Sequence, residues 1–304
     1  MNKHSLLSTL VCLLLTACAG VPSTPAVTPT PTFAPERYAS ALLDVPYCTP
    51  DGLEQTLDAY FPASGGPWPA VVWVHGGGWV EGDKAEGAGW RSLNDQGYLV
   101  ISVNYRLAAY DIKFPAMIED VKCAIRYLRA HAGEYNLDPE RIGVMGASAG
   151  GHLVALLGTA DASAGWDDGE YADQSSRVQA VVSMAGVMDF TLPMYDGIAM
   201  AIYYASGELG GKDSEANRAA SPVTYVTPDD PPFLILHGDE DGVVPLDQAT
   251  ALHDRLTEAG VPSTLVIVRN GDHSLRGLNG AETVPTQDEI YAGVLAFLEA
   301  NLKK

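Results

Sequence analysis

Five short segments of this chain are β-prone and close to continuously apolar: Ala70 to His75 (AVVWVH), Tyr98 to Asn104 (YLVISVN), Arg141 to Met145 (RIGVM), Val178 to Met184 and Pro232 to His237. Strands that are apolar on both sides need cover on both faces, which is the situation of a mostly parallel sheet. Stretches with helical spacing lie between them. From Phe114 to His131 the apolar residues Met117, Ile118, Val121, Ala124, Ile125 and Leu128 line one helical face, and further helical runs fall at about 246–259 and 288–302. Gln55 to Phe61 alternates and is expected to be an early antiparallel strand, and Thr264 to Val268 a late strand. The expected class is α/β, a twisted, mostly parallel sheet with helices on both faces. With 304 residues and 47% apolar content, one domain over residues 41–304 accommodates it. One stretch breaks the alternation. Residues 188–225 are long for a plain loop and are expected to form a partly helical insertion or lid.

The first 40 residues read differently. Lys3 precedes an apolar run from Leu6 to Leu15, which is too short to span a bilayer as a helix but suits a signal peptide. The run closes on Leu15-Thr16-Ala17-Cys18, which resembles the lipobox of bacterial lipoproteins. That resemblance implies a signal over residues 1–17, a lipidated Cys18 and an extracytoplasmic protein held to a membrane by its N-terminal lipid. An ordinary secretory signal is the alternative. Residues 18–40 contain a Pro/Thr-rich tract that suits an extended tether. Cys48, expected on an early strand, and Cys123, expected within a helix, form a disulfide or stay as two separate buried thiols, since the sequence does not show that their Cα atoms approach. The formal charge of −20 makes nucleic acid an unsuitable partner, because a phosphate backbone would be repelled. No Cys/His cluster has metal-ligand spacing, and neither a metal nor a cofactor is implied.

Chemistry concentrates in four places. In Gly146-Ala147-Ser148-Ala149-Gly150 a serine sits between a β-run and a helix-compatible run, the context of a sharp strand-to-helix turn that exposes a hydroxyl. Without that context the pattern is weak. A serine needs a base to take its proton, and the base needs a carboxylate to orient it. Of seven histidines, His273 alone lies on a loop after the last β-run. His75 and His152 belong to glycine-rich stretches, His131 and His253 to helical runs, and His237 ends a strand too early. The preceding strand-end loop, HGDEDGVVP, offers Asp239, Glu240 and Asp241. The Asp-x-x-Val-Pro arrangement favours Asp241, with Asp239 as the competitor. Finally, His75-Gly76-Gly77-Gly78-Trp79 follows a central strand. Its backbone can expose N–H groups toward an oxyanion, and the N–H of Ala149 is expected to complete the set.

Taken together, HGGGW, DPERIGVMGASAGGHLVALLG, ASPVTYVTPDDPPFLILHGDEDGVVP and GDHS resemble bacterial α/β-hydrolase esterases related to hormone-sensitive lipase. They are more similar still to the feruloyl and acetyl esterase-like (BD-FAE-type) branch. The resemblance covers roughly residues 41–304. It implies an α/β-hydrolase fold, nucleophile Ser148, acid Asp241, base His273 and oxyanion donors Gly77, Gly78 and Ala149. The expected activity is hydrolysis of small acyl or aryl esters, including acetyl or feruloyl groups on polysaccharide. Only about ten residues separate the tether from the first strand, so no N-terminal helical cap is expected. A prolyl-oligopeptidase-like peptidase and an aryl formamidase are the alternative enzyme classes. A binding lipoprotein without catalysis is disfavoured because every triad residue is present.

Overall fold

A computed structural model describes residues 40–109, 111–194 and 214–303. The chain divides into Met1–Thr30 and Pro31–Lys304. The first unit, with the signal-like run and Cys18, lies outside the described residues, as does the rest of the tether through residue 39.

The apolar runs become one eight-stranded sheet. Its strands are β1 Ala41–Cys48, β2 Gln55–Tyr60, β3 Trp68–Val74, β4 Leu99–Val103, β5 Leu137–Ala147, β6 Ala180–Met184, β7 Phe233–Gly238 and β8 Ser263–Val268. Their spatial order is β1-β2-β4-β3-β5-β6-β7-β8. β2 runs antiparallel to both its neighbours, and the remaining pairs are parallel. The helices are α1 Ala116–Ala130, α2 Ala132–Tyr135, α3 Ala149–Thr159, α4 Glu215–Ala220, α5 Asp247–Glu258 and α6 Gln287–Leu302.

The two-faced burial inferred from composition is visible residue by residue. On β3, Ala70, Val72 and Val74 pack into the larger core with α1, α3 and α5 residues such as Ile118, Leu153 and Leu252. Val71 and Trp73, on the opposite pleat, join Leu93 and the α6 residues Val294 and Leu298. The alternation follows from the period of two along a strand. Both faces being dry, neither tolerates a one-residue slip in register.

Three boundaries differ from the sequence reading. The first strand, Ala41–Cys48, carries Cys48 as expected but starts nearer the tether than the roughly ten residues expected. It is an edge strand whose apolar residues are interrupted by Asp44, with a φ of 55°, and Pro46, and its pairing with β2 shifts register twice, so neither an alternation nor an unbroken run marks it. β5 begins at Leu137, before Asp138-Pro139, because Leu137 pairs with Trp68 ahead of a register shift. Lys84–Asn94 is a run of 3-10 turns that its polar composition concealed. Within the expected insertion at 188–225, α4 and a 3-10 turn at Pro222–Thr224 are helical, while 195–213 lies outside the described residues.

Cys48, at the end of β1, is disulfide-bonded to Cys123 of α1, with their Cα atoms 6.5 Å apart. Buried cations anchor the same flank. Lys84 pairs with Asp44 and Asp58, Arg106 with Asp51, Glu119 and Asp120, and Lys122 with Asp167. Among the described residues no helix is long and apolar enough to cross a membrane.

Candidate active site

The parallel strands β3, β5, β7 and β8 point their C-terminal ends the same way, so the four sequence motifs that follow them gather at one edge of the sheet. Binding sites of open parallel sheets form at this edge.

At the end of β5 the backbone turns through Ser148, whose φ of 55° and ψ of −119° lie in a region that non-glycine residues rarely occupy. The turn is fastened on both sides. Ser148 N–H donates to Met184 O at 2.8 Å, and His152 N–H donates to Ser148 O at 3.0 Å, which starts α3. The glycine at position 150 is required by packing. A Cβ there would stand 2.0 Å from Val74 O and 2.5 Å from His75 O. The first turn of α3 therefore lies directly against the end of β3, with Ser148 partly exposed at the junction. α3 also turns its N-terminus, and so the positive end of its dipole, toward that serine.

His273 meets Ser148 from the loop after β8. Its Nε2 lies 2.9 Å from Ser148 Oγ, and its Nδ1 lies 2.8 Å from Asp241 Oδ2. An ionised carboxylate only accepts, so Nδ1 carries the hydrogen and Nε2 is left to accept from the serine hydroxyl. Asp272 shapes the loop that presents this ring, accepting from the N–H groups of Ser274 and Arg276.

Asp241, not Asp239, is the carboxylate that reaches the imidazole. Asp239 and Glu240 are exposed and pin the loop through backbone bonds to Val268 and Gly271, whereas Asp241 is buried. Its Oδ1 accepts from the N–H of Val243 at 2.8 Å and of Val244 at 2.9 Å. Its Oδ2 takes His273 and also His237 Nε2, at 3.3 Å. Burial pushes this carboxyl up, but the donors of His237, His273, Val244 and Val243 outweigh it and hold the group well below the usual carboxylate range.

His237 is the residue the sequence reading passed over. It is fully buried at the end of β7, and Val244 O lies 2.9 Å from its Nε2, so that nitrogen carries the hydrogen shared with Asp241. Its spacing of four residues before Asp241 was the available signal, yet a strand-terminal histidine has no distinctive sequence context. His152 was likewise set aside as part of a glycine-rich stretch. Trp79 Nε1–H donates to its Nδ1 at 3.1 Å, and its Nε2–H donates to Ala220 O at 2.7 Å. Burial lowers its pKa to about 4. The ring thus links the loop after β3, the helix after Ser148 and the end of α4.

The glycine loop that holds the expected oxyanion donors packs beside the serine turn, where a Cβ on Gly76 would stand 3.4 Å from Ser148 Cβ. Gly77 has a φ of +98°, and a Cβ there would stand 2.0 Å from Glu81 O. Its carbonyl accepts from the N–H groups of both Val80 and Glu81 at 3.1 Å. Ala149 is the buried first residue of α3. Among the described residues no acceptor takes the N–H of Gly77, Gly78 or Ala149. The arrangement can pass a proton from a hydroxyl to an imidazole and offers free backbone donors beside it. Among the described residues no cluster of His, Cys, Asp or Glu is arranged to hold a metal ion.

Comparison with known proteins places this geometry in context. The pattern of the BD-FAE family matches residues 57–256. LipM of Mycobacterium tuberculosis, a probable carboxylic ester hydrolase, is 31% identical over 77% of this chain and 56% of its own length. Esterase LipC of the same organism is 33% identical over 74% of the chain and 57% of its own length. The chain thus spans about half the length of these curated relatives. A truncated carbohydrate esterase from gut microbiota superposes with a TM-score of 0.68 at 31% identity, covering 80% of this chain and 92% of that one. Est2 of Thermogutta terrifontis, with butyrate bound, shares the fold with a TM-score of 0.66 at 24% identity, over 86% of this chain and 91% of its own.

Proposed function

Because the chain belongs to the BD-FAE family and has its α/β-hydrolase fold, we propose that it is a serine carboxylic-ester hydrolase that works through an acyl-enzyme on Ser148. The observation that carries this reading is the continuous relay from Ser148 Oγ through His273 to Asp241, at 2.9 and 2.8 Å.

His273 Nε2 takes the Ser148 proton as the oxygen attacks the ester carbonyl. The resulting oxyanion is held by the N–H groups of Gly77, Gly78 and Ala149, and Asp241 stabilises the imidazolium. The imidazolium then gives its proton to the departing alcohol, leaving the acyl group on Ser148. Water, deprotonated by the same nitrogen, releases the acid and restores the hydroxyl. No cofactor enters these steps.

The substrates we assign are small acyl or aryl esters, including acetyl or feruloyl groups on polysaccharide. The likeness to a carbohydrate esterase supports this class. Cys18 is assigned as the lipid-bearing residue of a membrane-anchored extracytoplasmic protein, and the Cys48–Cys123 disulfide fits an oxidising compartment.

The purified protein is expected to hydrolyse p-nitrophenyl acetate, and Ser148→Ala to lower kcat by roughly 10⁴-fold or more. Unchanged turnover in that variant would refute the assignment. Acetylated xylan and methyl ferulate separate the two decorations. Incorporation of a fatty-acid probe that persists in Cys18→Ala would remove the anchor.

A further inference from the structure

The loop that supplies two of the proposed oxyanion donors has its carbonyl oxygens tied down from the side opposite the donors. Tyr105 follows β4, the neighbour of β3, and is buried. Its hydroxyl donates to His75 O at 3.1 Å and to Gly76 O at 3.3 Å. His75 Nδ1 lies 2.8 Å from the same Gly76 O. A carbonyl only accepts, so Nδ1 carries the hydrogen. The other ring nitrogen, Nε2, is buried without a partner, as suits the bare nitrogen of this tautomer. The two rings stack with centroids 4.3 Å apart and planes 15° from parallel.

Peptide planarity converts these contacts into an orientation. In a trans peptide the N–H points opposite to the carbonyl of the preceding residue. Two donors on Gly76 O therefore aim the N–H of Gly77 away from Tyr105. By the same planarity, the N–H groups of Val80 and Glu81 on Gly77 O aim the N–H of Gly78 away from themselves. The Gly76–Gly77 peptide lies between two glycines, which resist its rotation less than other residues would, so the Tyr105 and His75 donors on its oxygen restrain it. A rotated peptide would present a carbonyl dipole to the developing negative charge. The anchor itself is firm, since the next residue, Arg106, donates its backbone N–H to Asp120 at 2.7 Å and its guanidinium to Asp120, Asp51 and Glu119.

We infer that Tyr105 and His75 are positioning residues that hold the Gly76 carbonyl and thereby fix the Gly77 N–H as an oxyanion donor. The inference rests on the ester-hydrolase reading above. The device acts on the tetrahedral state and not on ground-state binding, because the charge it addresses develops only on attack.

The test is Tyr105→Phe, which removes the hydroxyl and keeps the ring, assayed in the full chain with p-nitrophenyl acetate and with rates taken per folded molecule from the unfolding curve. The expected result is a roughly tenfold fall in kcat with KM changed less than twofold, one lost hydrogen bond being worth about that factor. Phenylboronic acid, which forms a tetrahedral anion on a nucleophilic serine, is expected to bind about tenfold more weakly to the variant. A variant with wild-type kcat and wild-type boronate affinity overturns the inference while leaving the ester-hydrolase reading intact. Absence of Ser148-dependent turnover in the wild type overturns both. If Tyr105→Phe does not fold, His75→Phe, which keeps the stack and deletes the Nδ1–H donor, is read against the same two outcomes.

Discussion

Two regions of this molecule bury carboxylates, and they stabilise them by opposite means. Along the flank of α1, buried Asp120 faces Arg106, and Asp167 faces buried Lys122 and Arg126. Permanent cations cancel the charge there. At the strand ends Asp241 is equally hidden, yet among the described residues its partners are two backbone N–H groups and two imidazoles, with no Lys or Arg. Neutral donors make the carboxylate tolerable without cancelling its field. That field is what the proposed reaction draws on when His273 takes up a proton. A guanidinium beside Asp241 would keep it ionised and spend the same charge before the reaction began.

The difference is open to attack from both sides. The largest effect is expected at Asp241. Asp241→Asn keeps the shape and removes the charge, and kcat on p-nitrophenyl acetate is expected to fall by about 10⁴-fold, equivalent to about 5.5 kcal/mol of barrier. A loss below tenfold would show that the unpaired charge is not what the site uses. On the cationic flank, Arg106→Met strands Asp120, and the unfolding free energy in urea is expected to drop by about 3–5 kcal/mol. Adding Asp120→Leu is expected to recover part of that loss, and a further drop would mean the pair was not the relevant unit.

A third test uses pH. His152 is buried and titrates at about 4 in the folded protein, below its ordinary value of 6.5. As pH falls through 6.5 the unfolded chain takes up a proton that the folded chain refuses, so the unfolded state is favoured. Stability is therefore full above about pH 6.5 and is lost progressively toward pH 4, by up to about 3 kcal/mol at roughly 1.4 kcal/mol per pH unit. In His152→Gln this contribution should vanish from the difference between unfolding curves at pH 7 and pH 4.5. The smallest effect is expected at His237. His237→Leu deletes one of four donors to Asp241 and should lower kcat by about tenfold, a single charge-assisted bond, whereas His237→Gln should lie closer to wild type. Equal rates in the two would assign His237 to packing alone.

How much of this was legible beforehand depended on whether the relevant signal was local. The strands were legible because burial on both faces leaves an unbroken apolar run, as in Ala70 to Val74. Ser148 was legible because its turn is built from neighbours within two residues. Asp241 was separable from Asp239 through the Val-Pro that follows it, and the structure brings that carboxylate, not Asp239, to His273. Edge strand β1 was blurred because Asp44 and Pro46 interrupt its apolar residues and its pairing shifts register twice. The Cys48–Cys123 pairing was left open because it depends on a crossing of β1 and α1, 75 residues apart. Tyr105 and His152 stayed hidden for the same reason. Each contributes through a partner brought close by the sheet, and nothing in its immediate sequence distinguishes it from a core residue.

The disulfide has a mechanical consequence. If the protein is held by its N-terminus, as proposed, a pull reaches the domain at Ala41, the outer end of an edge strand. Bonds between β1 and β2 would then open one after another, as a zipper does, because each carries the load in turn. The opening can run for the eight residues of β1 and no farther. At Cys48 the force passes through a covalent link into α1, which is packed in the core, and spreads over many contacts at once. A tethered domain built this way can fray at its attachment without unravelling toward the serine.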